Sequence, residues 1–307
     1  MRGIMWKKLG CIFTPKGETA WMVSHAMLPT LQRCSDENIK IYFGSRNERN
    51  QSHIGVFYFN LESQKIEKVS TNLLLSPGAL GTFDDNGVLP SCILKTDAGE
   101  FMYYIGFKPG GTTRMDLFGG LGKFVGENQL ERVSQAPILE RNAVNPYINT
   151  APFVIKNYDS NNEYKYFMYY VAGCGWLHKD LPKYNIQVAF SHDGFNWIRE
   201  GKVCIDFQDE TEVALARPWV IFMNNKYHMW FSYKGDAYRI GYAISDDGIT
   251  WNRKDHLGGV TSSGDGADFD SDMVCYGAVI QHKNKLLMFY NGNDYGRSGI
   301  GLAVADV

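Results

Sequence analysis

Six cysteines stand among the 307 residues, and no two have Cys-x-x-Cys spacing. That removes the usual zinc-ribbon and dithiol redox readings. Cys11, Cys34, Cys92, Cys174, Cys204 and Cys275 mostly fall among strand residues and read as small buried thiols. An excess of one charge is missing too. The net is −2, so there is no electrostatic case for nucleic acid or an anionic membrane as partner. No apolar run is long enough to span a bilayer, and the start MRGIMWKKLGCIF has neither the apolar centre nor the cleavage site of a leader. The expected compartment is the cytoplasm. No linker breaks the chain, so residues 1–307 read as a single domain. A helical period is absent from the most regular stretch, Thr211–Trp251.

What that stretch holds instead is a strand pattern. Pro218–Met223 is apolar, Asn224-Asn225 makes a turn, and Tyr227–Tyr233 is rich in β formers. Tyr238–Ser245 follows, then an Asp247-Gly248 turn, and Trp251 opens a fourth strand. The unit recurs. A proline is expected to begin a strand at Pro29, Pro90, Pro152 and Pro218, at spacings of 61, 62 and 66 residues. Tyr276-Gly277-Ala278 takes the same place in a fifth copy. The second strand repeats as IKIYFGSR, EFMYYIGF, KYFMYYVAG, KYHMWFSYKG and KLLMFYNGN. Ser-x-Asp-Gly-x-x-Trp closes two copies, at Ser191–Trp197 and Ser245–Trp251. Four strands repeated at a fixed period predict propeller blades, here five. The last copy has three strands, and residues 6–13, of which Trp6–Gly10 resembles Trp197–Gly201, are expected to supply its outer strand and close the ring. The predicted fold is therefore an all-β five-bladed propeller.

A propeller brings the starts of its inner strands to one axis, where polar groups far apart in sequence converge on a small molecule. His25 precedes Pro29 there, as a hydroxyl ligand, an acid–base helper or a ligand for a central ion, or else as a structural histidine. Arg46 leaves the second strand and offers a planar fork to an anion or a hydroxyl. Asp84 and Asp85 precede Pro90, and alternation favours Asp85 as the inward one; the bland alternative is turn chemistry. Asn149 and Thr150 are neutral partners for hydroxyls, and Trp176 is a face for a sugar ring. Glu212 lies six residues before Pro218, as Asp84 does before Pro90, with Arg217 next to the proline. The pair is either functional or a buried structural pair. Asp272 matches Asp85 in its offset, Tyr276 can donate or stack, and Asp294 is a lesser candidate. Two carboxylates across a cleft suit glycosidic bond cleavage, about 5–5.5 Å apart for retention and about 6.5–9.5 Å for inversion.

The paired Ser-x-Asp-Gly-x-x-Trp turns, aromatic second strands and five repeats resemble the five-bladed propeller glycosidases, a superfamily that includes glycoside hydrolase families 43, 32, 62, 68, 117 and 130. The resemblance covers essentially the whole chain and implies axial carboxylates acting on glycosidic bonds. On that basis Glu212 is the expected general acid, Asp85 the base or nucleophile, and Asp272 a second carboxylate. Arg217, Arg46, His25 and Tyr276 would bind a sugar or oligosaccharide. The sequence departs from family 43. His25-Ala26-Met27-Leu28-Pro29 stands where an Asp-Pro is expected, Asn149 and Thr150 stand at the third inner strand, and Ala216 takes the place of the acid two residues before a proline. Family 130 phosphorylases keep arginines for phosphate, a part that Arg46 and Arg217 would fill. No cofactor is expected and no metal ligand is assigned, with a structural ion on the axis left open. A non-catalytic glycan- or partner-binding propeller is the rival from another class.

Overall fold

The computed structural model describes residues 3–159 and 162–307; the first two residues of the N-terminal stretch read above lie outside them. The described residues are almost all strand and turn. β1 is Lys7–Phe13. β2 (Ser24–Arg33), β3 (Asn38–Arg46), β4 (Ser52–Asn60) and β5 (Lys65–Val69) form a first antiparallel unit. β6 (Gly87–Thr96), β7 (Gly99–Pro109), β8 (Met115–Gly126) and β9 (Gln129–Arg132) form the second. The third is β10 (Asn149–Lys156), β11 (Tyr166–His178), β12 (Leu181–Ser191) and β13 (Ile198–Ile205). The fourth is β14 (Ala214–Met223), β15 (Lys226–Lys234), β16 (Tyr238–Ser245) and β17 (Asn252–Arg253). β18 (Cys275–His282), β19 (Lys285–Asn291) and β20 (Ile300–Asp306) make the fifth, with β1 pairing antiparallel to β20 as its fourth strand. Two four-residue helices complete the elements, α1 (Asp255–Gly258) and α2 (Asn293–Gly296).

The middle strands are the aromatic ones because they are buried on both faces. Tyr42, Tyr103, Tyr169, Trp230 and Phe289 stand at matching register positions and are all fully buried. Their polar atoms must find partners, and the Ser-x-Asp-Gly-x-x-Trp turn supplies two. Ser245 Oγ accepts the Gly248 N–H at 2.8 Å, and Asp247 Oδ1 accepts the N–H groups of Ile249 and Thr250. Gly248 holds φ at 72°, which favours glycine, and a Cβ there would meet Phe167 at 2.9 Å. The turn so formed aims the Gly248 carbonyl at the preceding unit, where it accepts the Tyr169 hydroxyl at 2.8 Å. The Trp251 ring packs edge-on to Tyr169 at 5.5 Å. Tyr103 donates likewise to the Gly194 carbonyl, beside Trp197. The turn motif is thus a latch between neighbouring units.

The prolines do not begin the inner strands. Each lies inside one: Pro29 in β2, Pro90 in β6, Pro152 in β10 and Pro218 in β14. A proline inside a strand lacks a ladder donor and needs a bulge. The register accordingly skips between Met27 and Thr30, Thr150 and Phe153, and Ala216 and Trp219, and likewise between Cys275 and Ala278. The residue before each step takes a left-handed backbone: Leu28 (φ 53°), Ala151 (φ 49°), Arg217 (φ 53°) and Tyr276 (φ 57°). Such strain costs about 1–3 kcal/mol per residue and gathers where a side chain must be re-aimed. The thiols also depart from expectation. Cys92 and Cys275 are buried, but Cys11, Cys34 and Cys174 are exposed: Cys11 lies on the outer strand β1, Cys34 just past the end of β2, and Cys174 at a register break in β11.

Candidate active site at the hub

The bulges turn one set of side chains toward a common centre. Met27 and Leu28, Leu89 and Ile105, Ala151 and Val171, Ala214 and Ala216, and Cys275 and Tyr276 pack in one apolar cluster drawn from all five units. Arg217 crosses beneath it. Its guanidinium donates to the Ser91 carbonyl, to the Pro29 carbonyl at 3.0 Å and to Thr30 Oγ1 at 2.7 Å, so it ties β6 and β2 to its own strand β14. It is 1% exposed, lies 5.2 Å over the Trp219 ring, and leaves its Nε without a partner among the described residues. Burial pulls its pKa down to about 10, so it stays charged at neutral pH. Ser91 Oγ donates to the Pro152 carbonyl, and Trp219 Nε1 to the Val279 carbonyl, which binds the remaining inner strands. Asn291 of β19 holds the first unit, accepting from Leu28 N and donating to the Ala26 carbonyl.

Polar groups gather where these strands begin. His25 has its Nδ1 2.9 Å from Ser24 Oγ. Burial lowers its pKa to about 4; the charges of Arg46 and Arg297 add to this, and Asp294 opposes it. His25 is therefore neutral at pH 7. Burial also lowers the pKa of Arg46; Arg114 acts the same way and Tyr276 opposes. Arg46 donates to Asn50 Oδ1 at 3.0 Å. The Tyr276 ring lies 5.7 Å from Tyr238, whose hydroxyl is 2.6 Å from that of Tyr184, and Tyr295 closes on Tyr238 from the side. Burial raises the pKa of the Tyr276 hydroxyl. Asn149 gives its amide to the carbonyls of Glu140 and Asn145, while its Oδ1 and Thr150 Oγ1 are buried without partners among the described residues. Trp176 is half-buried near the end of β11, paired with Pro182.

The acids are placed differently from expectation. Glu212 is 5% exposed, and both its oxygens are held by Arg253 of β17, at 2.6 and 2.8 Å. Its Oε2 also accepts the Gln208 N–H. Asp84 is the equivalent in the second unit, bound to Arg132 of β9 at 2.8 Å, to the Tyr104 hydroxyl at 3.0 Å and to Thr82. Asp270 repeats the pattern in the fifth, with Lys8 of β1 at 2.8 Å and the Tyr290 hydroxyl at 2.9 Å. The equal offsets of Asp84 and Glu212 thus mark one structural device, found in the second, fourth and fifth units: an acid on the segment entering the unit, buckled to the outer strand of that unit. Neither is free to face a substrate at the hub.

Asp85, Asp272 and Asp294 stay outside that device. Asp85 Oδ2 accepts the Gly81 N–H at 2.8 Å. Asp272 is exposed, and its backbone N–H donates to Asn293 Oδ1 at 2.9 Å. Asn293 thus ties the Asp272 loop to α2, which carries Asp294 in a left-handed backbone beside His25. Sequence reasoning missed Arg114, Arg297, Tyr184 and Tyr238. Arg297 ends a stretch that reads only as a hairpin turn, and the two tyrosines look like core. Among the described residues no group of three or more His, Cys, Asp or Glu is placed to hold a metal ion, and no helix is long and apolar enough to cross a membrane.

No protein-family model matches the chain. It is 34% identical over 303 residues to the uncharacterized protein Rv1502 of Mycobacterium tuberculosis, covering 98% of this chain and 99% of that one. Among solved structures it is similar to a glycoside hydrolase at 18% identity and TM-score 0.76, covering 99% of this chain and 92% of the other. It is also similar to the β-1,2-mannobiose phosphorylase of Listeria innocua at 10% identity and TM-score 0.65, covering 98% and 90%. The fold is that of the propeller glycosidases.

Proposed function

We propose that this chain, which belongs to the family of the uncharacterized protein Rv1502, is a carbohydrate-active enzyme working on a glycosidic bond at the mouth of the hub. The five four-stranded units are read as five blades of a ring, with β1 completing the last. The observation that carries the reading is the group of polar side chains near the starts of the inner strands: His25 and Arg46 act on one another electrostatically, Arg46 and Tyr276 do likewise, Tyr276 packs on the apolar cluster drawn from all five units, and Asn149 Oδ1 and Thr150 Oγ1 are buried without partners among the described residues. Polar groups beside apolar surface suit a sugar, which offers hydroxyls at its edge and C–H bonds on its face.

In this reading Asp272 gives a proton to the leaving oxygen, and Asp85 activates the attacking water or attacks the anomeric carbon. Asp294, near His25, holds substrate. Trp176 is a stacking face on the rim. Glu212 is set aside in this reading, because Arg253 takes up both its oxygens.

One observation favours a second reading. Arg46 and Arg297 act electrostatically on His25, and Arg114 on Arg46, a positive setting that suits phosphate as the attacking group in place of water.

The test is turnover of an aryl-glycoside panel with and without inorganic phosphate, beside direct binding. Asp272→Asn and Asp85→Asn are expected to lower kcat by about a hundredfold or more at unchanged melting temperature. Turnover only with phosphate selects the second reading. Binding without turnover under either condition would overturn both and leave a non-catalytic glycan-binding propeller.

A further inference from the structure

A cleft of ≈ 580 Å³ lies beside β16, lined by Arg239, the residue after Tyr238 of the hub cluster. The cleft is bounded by the end of β15, the start of β16, β17 and the segment through α1. Its charges do not cancel. Arg253 is neutralised by Glu212 and by Asp255, which lies 2.7 Å away. Arg239 and Lys254 also line the cleft, and among the described residues neither has an acidic partner. Arg239 is oriented by the carbonyls of Tyr238 and Asp272, at 2.9 and 2.7 Å from its Nη1. Those bonds leave the rest of the guanidinium for a ligand.

The wall opposite is suited to a ring. Arg253 sits 5.0 Å over the Tyr233 ring and fixes it, while no protein group bonds the Tyr233 hydroxyl among the described residues. Ile240 and Val260 supply apolar surface, and Gln208 an amide.

We infer that this cleft is an accessory binding site for an acidic sugar. Its carboxylate or phosphate pairs with Arg239 and Lys254, and its hydroxyls meet Tyr233 and Gln208. The sugar part of the assignment rests on the function proposed above; the charge preference does not.

Binding of glucuronate, glucose 1-phosphate, glucose and inorganic phosphate is measured by calorimetry or ligand-observed NMR on the full chain. One or both acidic sugars are expected to bind, glucose is not, and the one that binds tells carboxylate from phosphate. Lys254→Met, on a half-exposed side chain, and Arg239→Met are each expected to weaken that binding about tenfold, while Arg46→Met at the hub leaves it unchanged. The inference is overturned if glucose binds equally, if bare phosphate binds as tightly as the sugar acids, or if both cleft variants keep wild-type affinity. A hub without turnover would sink the function proposed above and leave this result standing.

Discussion

Glu212 and Asp272 show how a residue's neighbours decide its role. Both are acids a few residues ahead of an inner strand, and both are candidates for proton transfer on sequence grounds. Glu212 meets a guanidinium stacked between Phe231 and Tyr233, at 5.1 and 5.0 Å, and is closed off with it. Asp272 meets Asn293 and Arg239 only through its backbone, and the residue is exposed. Glu212→Gln removes one partner of a nearly buried pair, so the expected loss is about 3 kcal/mol of stability. Denaturant unfolding checks it. A variant that unfolds like wild type but loses turnover would return Glu212 to the chemistry.

At the scale of the element, the turn after the third strand is a fastener rather than a connection. Its glycine carbonyl is the acceptor for a tyrosine that would otherwise bury an unmet hydroxyl. Tyr169→Phe keeps the ring against Trp251 and deletes only the bond to Gly248. The expected cost is about 1–2 kcal/mol, because the carbonyl is left unpartnered, and thermal melting reads it. No change would mean that packing alone joins the units. The same scale explains the prolines. Their even spacing was legible and marks the inner strands correctly. Their place inside the strand was not, because a bulge is a property of two strands in register, and a single run of residues does not display it.

At the scale of the molecule, β1 contributes more than a pairing. Phe13 is in the core, packed 4.9 Å from Phe43 and 4.8 Å from Phe57, and Lys8 neutralises the buried Asp270. Deleting residues 1–13 therefore exposes an edge strand, empties a core site and leaves a buried carboxylate unpaired. Loss of a cooperative melt is expected, by circular dichroism. A truncated chain that melts as sharply and as high as the full one would refute the role given to β1.

The sequence by itself determined the repeat, the all-β character, the strand that completes the fifth unit, and which stretches hold the inner strands. These follow from local alternation and turn chemistry, repeated often enough to be counted. Tertiary structure alone decided which acids are spent. Arg253, Arg132 and Lys8 lie 41, 48 and 262 residues from the carboxylates they hold. An ion pair formed across such separations leaves no trace in the spacing of either residue, since only folding brings the two charges out of water together.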